Sequence, residues 1–381
     1  MPGLYIHIPF CAGKCIYCDF ASYADCGEDE KASYFKALYS EIDALVDWLG
    51  EAAVFDTVFI GGGTPSVVDS AYICEALLRV PFTVDAEVTV EANPGSLTSA
   101  KAESYAAVGV NRISLGVQSM IEPELSYLGR VHDADMAAEA VSIARDAGIN
   151  NINIDLIFGF PGHTLKNWKN TVEKVLDLQP EHISFYSLQI EEGTPLYEAF
   201  RLGKADQIPE ELDREMYHYI TDKLRSSGYR HYEISNAAIS GRECRHNLKY
   251  WSMSDYVGVG AAAHSFINGC RFENPSTVSE YIKFIEDANL NSDKLIYDNL
   301  HEMKKQKPED LISDCIFTSL RTASGIDLIK FSKNYGIDLM EYKKEKIASY
   351  ISDGFMLEKA NHIFFTPKGI DISNSIITEL I

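Results

Sequence analysis

The chain is poor in positive charge. Its 381 residues hold 34 Lys and Arg against 56 Asp and Glu, a formal charge of −22 at pH 7. Such a surface repels phosphate backbones and argues against nucleic-acid binding driven by counterion release. Long hydrophobic runs are missing too: no stretch approaches the roughly eighteen apolar residues of a membrane span. The opening MPGLYIHIPF has no basic segment leading into a long apolar one, so the expected location is cytoplasmic. Cysteine is scarce, with 8 residues, which rules out a disulfide framework. Cys26, Cys74, Cys244, Cys270 and Cys315 are scattered and read as small buried apolar side chains.

What is present suffices for a full core: 46% of residues are apolar and 24% charged. The length fits two or three domains, or one α/β barrel with additions. Residues 301–381 carry 11 Lys and Arg and 12 Asp and Glu, so nearly all of the acidic excess lies before them. That change of character predicts a boundary near 290–300. We expect segments at 1–200, 201–295 and 296–381.

Strand-like and helix-like patterns alternate through the first 190 residues. LYIHIPF, FDTVFIGGG, AEVTVEANP, NRISLGVQ, NINIDLIFGFP and HISFYSLQI read as strands, with amphipathic helices between them. Tandem β/α units predict an α/β fold with a parallel sheet, a partial (β/α)6 TIM-like barrel. Polar and glycine residues gather at the strand ends: Cys11, then Gly61-Gly62-Gly63-Thr64, Glu91 with Asn93, Gln118, and Asp155 with Phe158-Gly159. That rim is where parallel α/β sheets build their sites. After residue 200 come a helix, the short strand YRHYEIS, a Gly/Ala-rich run VGVGAAAHS and a helix in TVSEYIKFIEDANL. The last eighty residues predict a winged-helix-like α+β module, with two short strands turning at Asn361.

Three cysteines stand together in HIPFCAGKCIYCDF: Cys11, Cys15 and Cys18. Thiolates this close ligate zinc or an iron–sulfur cluster. A structural zinc needs a fourth ligand, for which His7 or Cys26 would be candidates. Three ligands on a cubane instead leave one iron open to a small molecule, and Tyr17, beside Cys18, could pack against an adenine.

C-x3-C-x2-C after a first strand, with GGGTP at 61–65, resembles the radical S-adenosylmethionine (SAM) enzymes. LYIHIPFC, FIGGGTPS, VEANPGSL, NRISLGVQS, LGRVHD, NIDLIFGFPGHT and the C-terminal module together resemble that superfamily's coproporphyrinogen dehydrogenase-like branch, over almost the whole chain. The resemblance implies a [4Fe–4S] cluster on Cys11, Cys15 and Cys18, and SAM contacts from Tyr5, Tyr17, Gly62, Gly63, Thr64, Glu91, Gln118, Arg130 and Asp155. Glycines let backbone approach a ligand, carboxylates accept from ammonium and hydroxyl groups, and an arginine pairs a carboxylate. Singly, Glu91 reads equally as a surface charge, Arg130 as a helix-start ion pair and Gln118 as a strand-end cap.

Two kinds of member need separating. The dehydrogenase pattern has a further cysteine two residues after the third, where this chain has Phe20, and a long segment ahead of the cluster. Both departures resemble instead the haem-chaperone members, whose HNxxY motif is matched by His246-Asn247-Leu248-Lys249-Tyr250. That resemblance implies haem as cargo, apo-haemoproteins such as respiratory enzymes as acceptors, and peripheral membrane contact that the charge does not support. His246 is the expected haem ligand, with Asn247 and Tyr250 beside it and His264 second in line. Read as one residue, His246 is as well explained by a hydrogen-bonded structural role. The alternative is an enzyme that cleaves SAM reductively and abstracts hydrogen from a porphyrinogen. A monomer and a dimer fit equally.

Overall fold

The computed structural model describes residues 1–289 and 304–381. Six strands run parallel in chain order: β1 (Gly3–Ile8), β2 (Phe55–Gly62), β3 (Phe82–Ala92), β4 (Arg112–Gln118), β5 (Asn151–Phe158) and β6 (His182–Ser187). The crossovers carry α1 (Glu28–Leu49), α2 (Ser70–Leu78), α3 (Ser99–Ala107), α4 (Glu122–Leu128), α5 (Ala134–Asp146) and α6 (Leu165–Asp177). Four of these helices begin where a short polar side chain accepts a backbone N–H two or three residues on. Asp69, Thr98, Asp133 and Thr164 do so for α2, α3, α5 and α6.

Each strand alternates. Leu4, Ile6, Ile8, Val58, Ile60, Val88, Val90, Ile113, Leu115, Ile152, Ile154, Ile183 and Phe185 are buried beneath the helices in one hydrophobic core. Their neighbours in sequence project from the opposite face and line the concave side: Tyr5, Phe59, Glu91, Arg112, Ser114, Asn153, Asp155, Ser184 and Tyr186. The sheet thus has a dry outer face and a polar lumen. The partial (β/α)6 barrel expected from the sequence is present.

Both sheet edges are extended. After β6 come α7 (Pro195–Arg201), α8 (Glu210–Ser226) and the hairpin β7 (Arg230–Glu233) with β8 (Asn236–Ala238), whose second strand pairs antiparallel with β6. α9 (Arg245–Trp251) follows. β9 (Tyr256–Val259), from the Gly/Ala-rich run, pairs parallel with β1. β10 (His264–Ile267), β11 (Cys270–Glu273), α10 (Val278–Asn289) and β12 (Lys304–Lys305) complete the edge of a twelve-stranded sheet. β9 escapes the sequence pattern because its one glycine has a packing role: a Cβ on Gly258 would stand 2.4 Å from the His264 carbonyl.

The C-terminal module has its own core, with Ile312, Ile316, Phe331, Ile347, Met356, Ile363 and Ile376 buried together. It contains α11 (Pro308–Ser319), β13 (Ile326–Asp327), α12 (Leu328–Tyr335), α13 (Leu339–Tyr342), α14 (Lys344–Ser352), the hairpin β14 (Met356–Lys359) and β15 (His362–Phe365), α15 (Pro367–Asp371) and α16 (Ser373–Leu380). Three short strands against helices give the winged-helix-like pattern, with Asn361 left-handed at the hairpin turn. The expected boundary at 295–296 lies outside the described residues. The module meets the barrel through Ile234 N–H to Arg321 O at 2.9 Å and Ala323 N–H to Tyr232 O at 2.9 Å. α11 also lies against α9. No helix among the described residues is long and apolar enough to cross a membrane.

Candidate functional site

The C-terminal ends of the six strands surround an open cavity of about 500 Å³. Cys11, Cys15 and Cys18 line it together with Tyr17, Gly62, Gly63, Thr64, Glu91, Gln118, Arg130 and Asp155. All of these sequence candidates share one mouth; Tyr5 does not, and lines the lumen below.

The cysteine loop is folded by its own backbone. Cys11 N–H donates to Tyr23 O and Tyr23 N–H returns to Pro9 O, while Cys18 N–H donates to Cys15 O, making a turn. The end of β2 clasps the base of that loop, with Gly63 N–H on Ile8 O at 2.9 Å and Thr64 N–H on Phe10 O at 2.7 Å. Only glycine fits there: a Cβ on Gly63 would lie 2.7 Å from the Phe10 carbonyl oxygen. Gly62 has a φ of 113°, and a Cβ on it would enter the His7 ring.

A hydrogen-bonded chain joins two of the cysteines. Thr64 Oγ1 lies 3.7 Å from Cys11 Sγ and accepts from Asn93 Nδ2 at 3.1 Å. Asn93 Oδ1 accepts from Arg130, which also donates to Gly116 O at 2.5 Å and to Cys15 Sγ at 3.3 Å. The guanidinium therefore stands beside a sulfur, an arrangement suited to a thiolate. Asn93 was visible in the sequence only as a polar residue at a strand end; its place between Thr64 and Arg130 needed the fold. Gln118 holds a left-handed φ of 70°, uncommon outside glycine, and its buried Oε1 has no partner among the described residues.

Burial raises the Cys11 and Cys18 thiols, so binding iron must displace protons. It also raises the Tyr17 phenol and the Asp155 carboxyl. Glu91 is pushed up to about 8, first by burial and then by the nearby Asp155 charge, and its Oε2 accepts from Gly62 N–H at 3.1 Å.

The zinc alternative loses its extra ligands. Neither His7 nor Cys26 lines the mouth, and the His7 ring nitrogens are engaged by Tyr5 OH at 3.0 Å and Ala21 O at 2.9 Å. Among the described residues no three His, Cys, Asp or Glu side chains converge on a single-ion site. A cubane asks for no such convergence, because each thiolate binds a different iron.

His246, Asn247 and Tyr250 lie at the other end of the barrel. They belong to α9, which floors the lumen, and they line a cavity of about 180 Å³ with the inward strand residues. From Thr57 beside His246 to Gly63 at the mouth is about 20 Å of strand. Buried Glu87 caps α9, accepting Arg245 and His246 N–H at 3.1 Å each. The His246 ring is buried; Thr57 Oγ1 lies 2.9 Å from Nδ1 and Tyr250 OH 2.8 Å from Nε2. It stacks on Phe59, and Tyr250 meets Tyr256 edge-on at 4.6 Å. Burial first, then the Lys249 and Arg112 charges, push its pKa down to about 3, so the imidazole is neutral. His264 is exposed on β10, between β9 and β11 in the sheet, 3.4 Å from Glu273.

Residues 5–175 match the Radical SAM superfamily, and residues 306–372 match the HemN C-terminal domain. The heme chaperone HemW of Lactococcus lactis is 34% identical over 381 residues, covering 99% of this chain and 96% of that one. The chain belongs to the HemW family. The heme chaperone HemW of Bacillus subtilis is also 34% identical, over 99% of this chain and 98% of its own length. Coproporphyrinogen III oxidase (HemN) from Escherichia coli, a radical SAM enzyme of solved structure, is 22% identical. It superposes with a TM-score of 0.81 over 100% of this chain and 90% of that one, which shows a shared fold.

The mouth fits the group that the superfamily implies. It offers three thiols, a cation beside one of them, two glycines that admit backbone approach, and the unpartnered Gln118 Oε1.

Proposed function

We propose that this protein binds haem and passes it to apo-haemoproteins, respiratory enzymes among them, and that its mouth holds a [4Fe–4S] cluster on Cys11, Cys15 and Cys18 with SAM beside it. One observation carries the reading: the identity with curated heme chaperones runs end to end, through the barrel, α9 and the C-terminal module alike. The cluster, once bound, supplies an open iron to which SAM can coordinate. Gly62, Gly63 and Thr64 shape the backbone cradle, Arg130 and Gln118 orient polar ends, and Glu91 and Asp155 face ammonium and hydroxyl groups.

His246 is the proposed haem ligand. A neutral imidazole has the right chemistry, yet both of its nitrogens are held and α11 covers its helix. The lumen cavity is below the roughly 300 Å³ at which drug-sized pockets begin, too small for a macrocycle. Ligation therefore requires α9 to turn outward.

Haem titration of the anaerobically reconstituted full chain tests this. Saturable binding with a shifted Soret band, weakened at least tenfold in His246→Ala, is expected; an unchanged titration in a folded His246→Ala removes the ligand assignment. The intact SAM-facing mouth favours a second reading, a radical SAM oxidoreductase. Robust 5′-deoxyadenosine formation with coproporphyrinogen consumption would replace the carrier by that enzyme.

A further inference from the structure

The lumen contains a buried guanidinium with no direct hydrogen-bond partner, attracted only through space by the Glu87 and Asp155 carboxylates. Arg112 enters from β4 and is 2% exposed; its side chain forms no hydrogen bond or ion pair with any described residue, and its Nε is buried without a partner. An arginine does not deprotonate in a protein, and a buried guanidinium N–H left without an acceptor is unfavourable. The carboxylates around it attract it through space, but their hydrogen bonds go to other groups. Glu87 caps α9. Asp155 accepts from Asn153 Nδ2 at 2.7 Å through one oxygen and from Ser114 Oγ at 3.2 Å through the other. Glu91, bonded to Gly62 N–H and with its pKa near 8, holds a proton at neutral pH and can donate.

Other donors face the same space. The Asn247 amide enters from α9 and makes no hydrogen bond with a described residue; Tyr186 stands between the lumen and the mouth, lining both. The cavity, about 180 Å³, has room for a few heavy atoms. A guanidinium fork flanked by an amide matches a carboxylate held bidentately.

We propose that the barrel lumen is a binding site for a short carboxylate, with Arg112 as its principal anchor and Asn247 as a second. The carboxylate is either a free small acid or the acidic side arm of a larger ligand; only the second source rests on the haem reading above. Occupancy gives the Arg112 fork an acceptor and fixes Asn247, so it braces α9 against the strands.

The test is a titration of the cluster-reconstituted full chain with carbon-13 formate, followed by NMR. Saturable formate binding is expected in the wild type. It should weaken at least tenfold in Arg112→Lys, which keeps the charge and loses the fork, and severalfold in Asn247→Leu. No saturable binding in the wild type, meaning a cavity filled by water alone, overturns the site; so does an unchanged affinity in folded Arg112→Lys. Should that variant fail to fold, Asn247→Leu decides on the same readout. Haem that displaces formate, where haem with both propionates esterified does not, assigns the site to a side arm. Formate that stays bound in the presence of haem assigns it to a free acid. Formate binding does not depend on haem binding, so the failure of one leaves the other standing.

Discussion

At the scale of residues, the mouth is built from backbone proximity more than from charge. Gly63 is decisive, because its neighbours are carbonyl oxygens that cannot rotate away. Gly63→Ala should destabilise the fold by about 1–3 kcal/mol, the usual cost of overpacking, and lower iron content after reconstitution. A thermal melt and an iron assay check both. Glu91 makes a prediction in pH. Its folded pKa, about 8, lies above the ordinary carboxylate value, so the native state holds a proton that the unfolded chain has released. The contribution is complete below about pH 4.5 and is lost as pH rises to about 8. Glu91→Gln should flatten the stability profile across that window; a slope unchanged from the wild type would show that Glu91 does not titrate there.

At the scale of elements, the alternation along each strand decides what the barrel can do. NRISLGVQ sends Ile113, Leu115 and Val117 to the helices and Arg112, Ser114 and Gly116 inward. The strands and their order were legible from such runs, as were the cysteines and the polar strand ends, because local pattern determines them. The lumen was legible in principle, since Arg, Ser, Asn and Asp at every second position cannot face a dry core. The position of α9 was not. HNLKY forms a short helix, but what places it under the barrel is Glu87, some 160 residues earlier, and no local pattern reports that contact. On the dry side, Trp168 of α6 is wholly buried and donates through Nε1 to Met216 O at 2.9 Å, tying α6 to α8. Trp168→Ala should cost about 3–5 kcal/mol in denaturant unfolding. A loss under about 1 kcal/mol would mean that the two helices pack well without it.

At the scale of the whole molecule, the HNxxY motif on α9 and the cysteine mouth occupy opposite ends of one lumen, and the C-terminal module contacts the α9 end through α11. Glu233 marks where module and barrel join. It bridges to Thr322, is buried, and accepts from Asn236 and from Ser235 N–H. Burial pushes its pKa up to about 7. The stability it lends is present below about pH 4.5 and disappears as pH climbs to about 7, so Glu233→Gln should tighten docking at neutral pH. Slower hydrogen exchange at the amides of Ile234 and Ala323 would register this, and faster exchange there would contradict it.

The proposed function depends on a mouth that holds a cubane through three sulfurs with one iron left for SAM. The Mössbauer spectrum of anaerobically reconstituted, iron-57-labelled protein, recorded with and without SAM, tests that most directly. We predict about four irons per chain, about one of which has distinct parameters that change when SAM is added. A protein that takes up no iron–sulfide, or a cluster whose irons are all alike and indifferent to SAM, would contradict it.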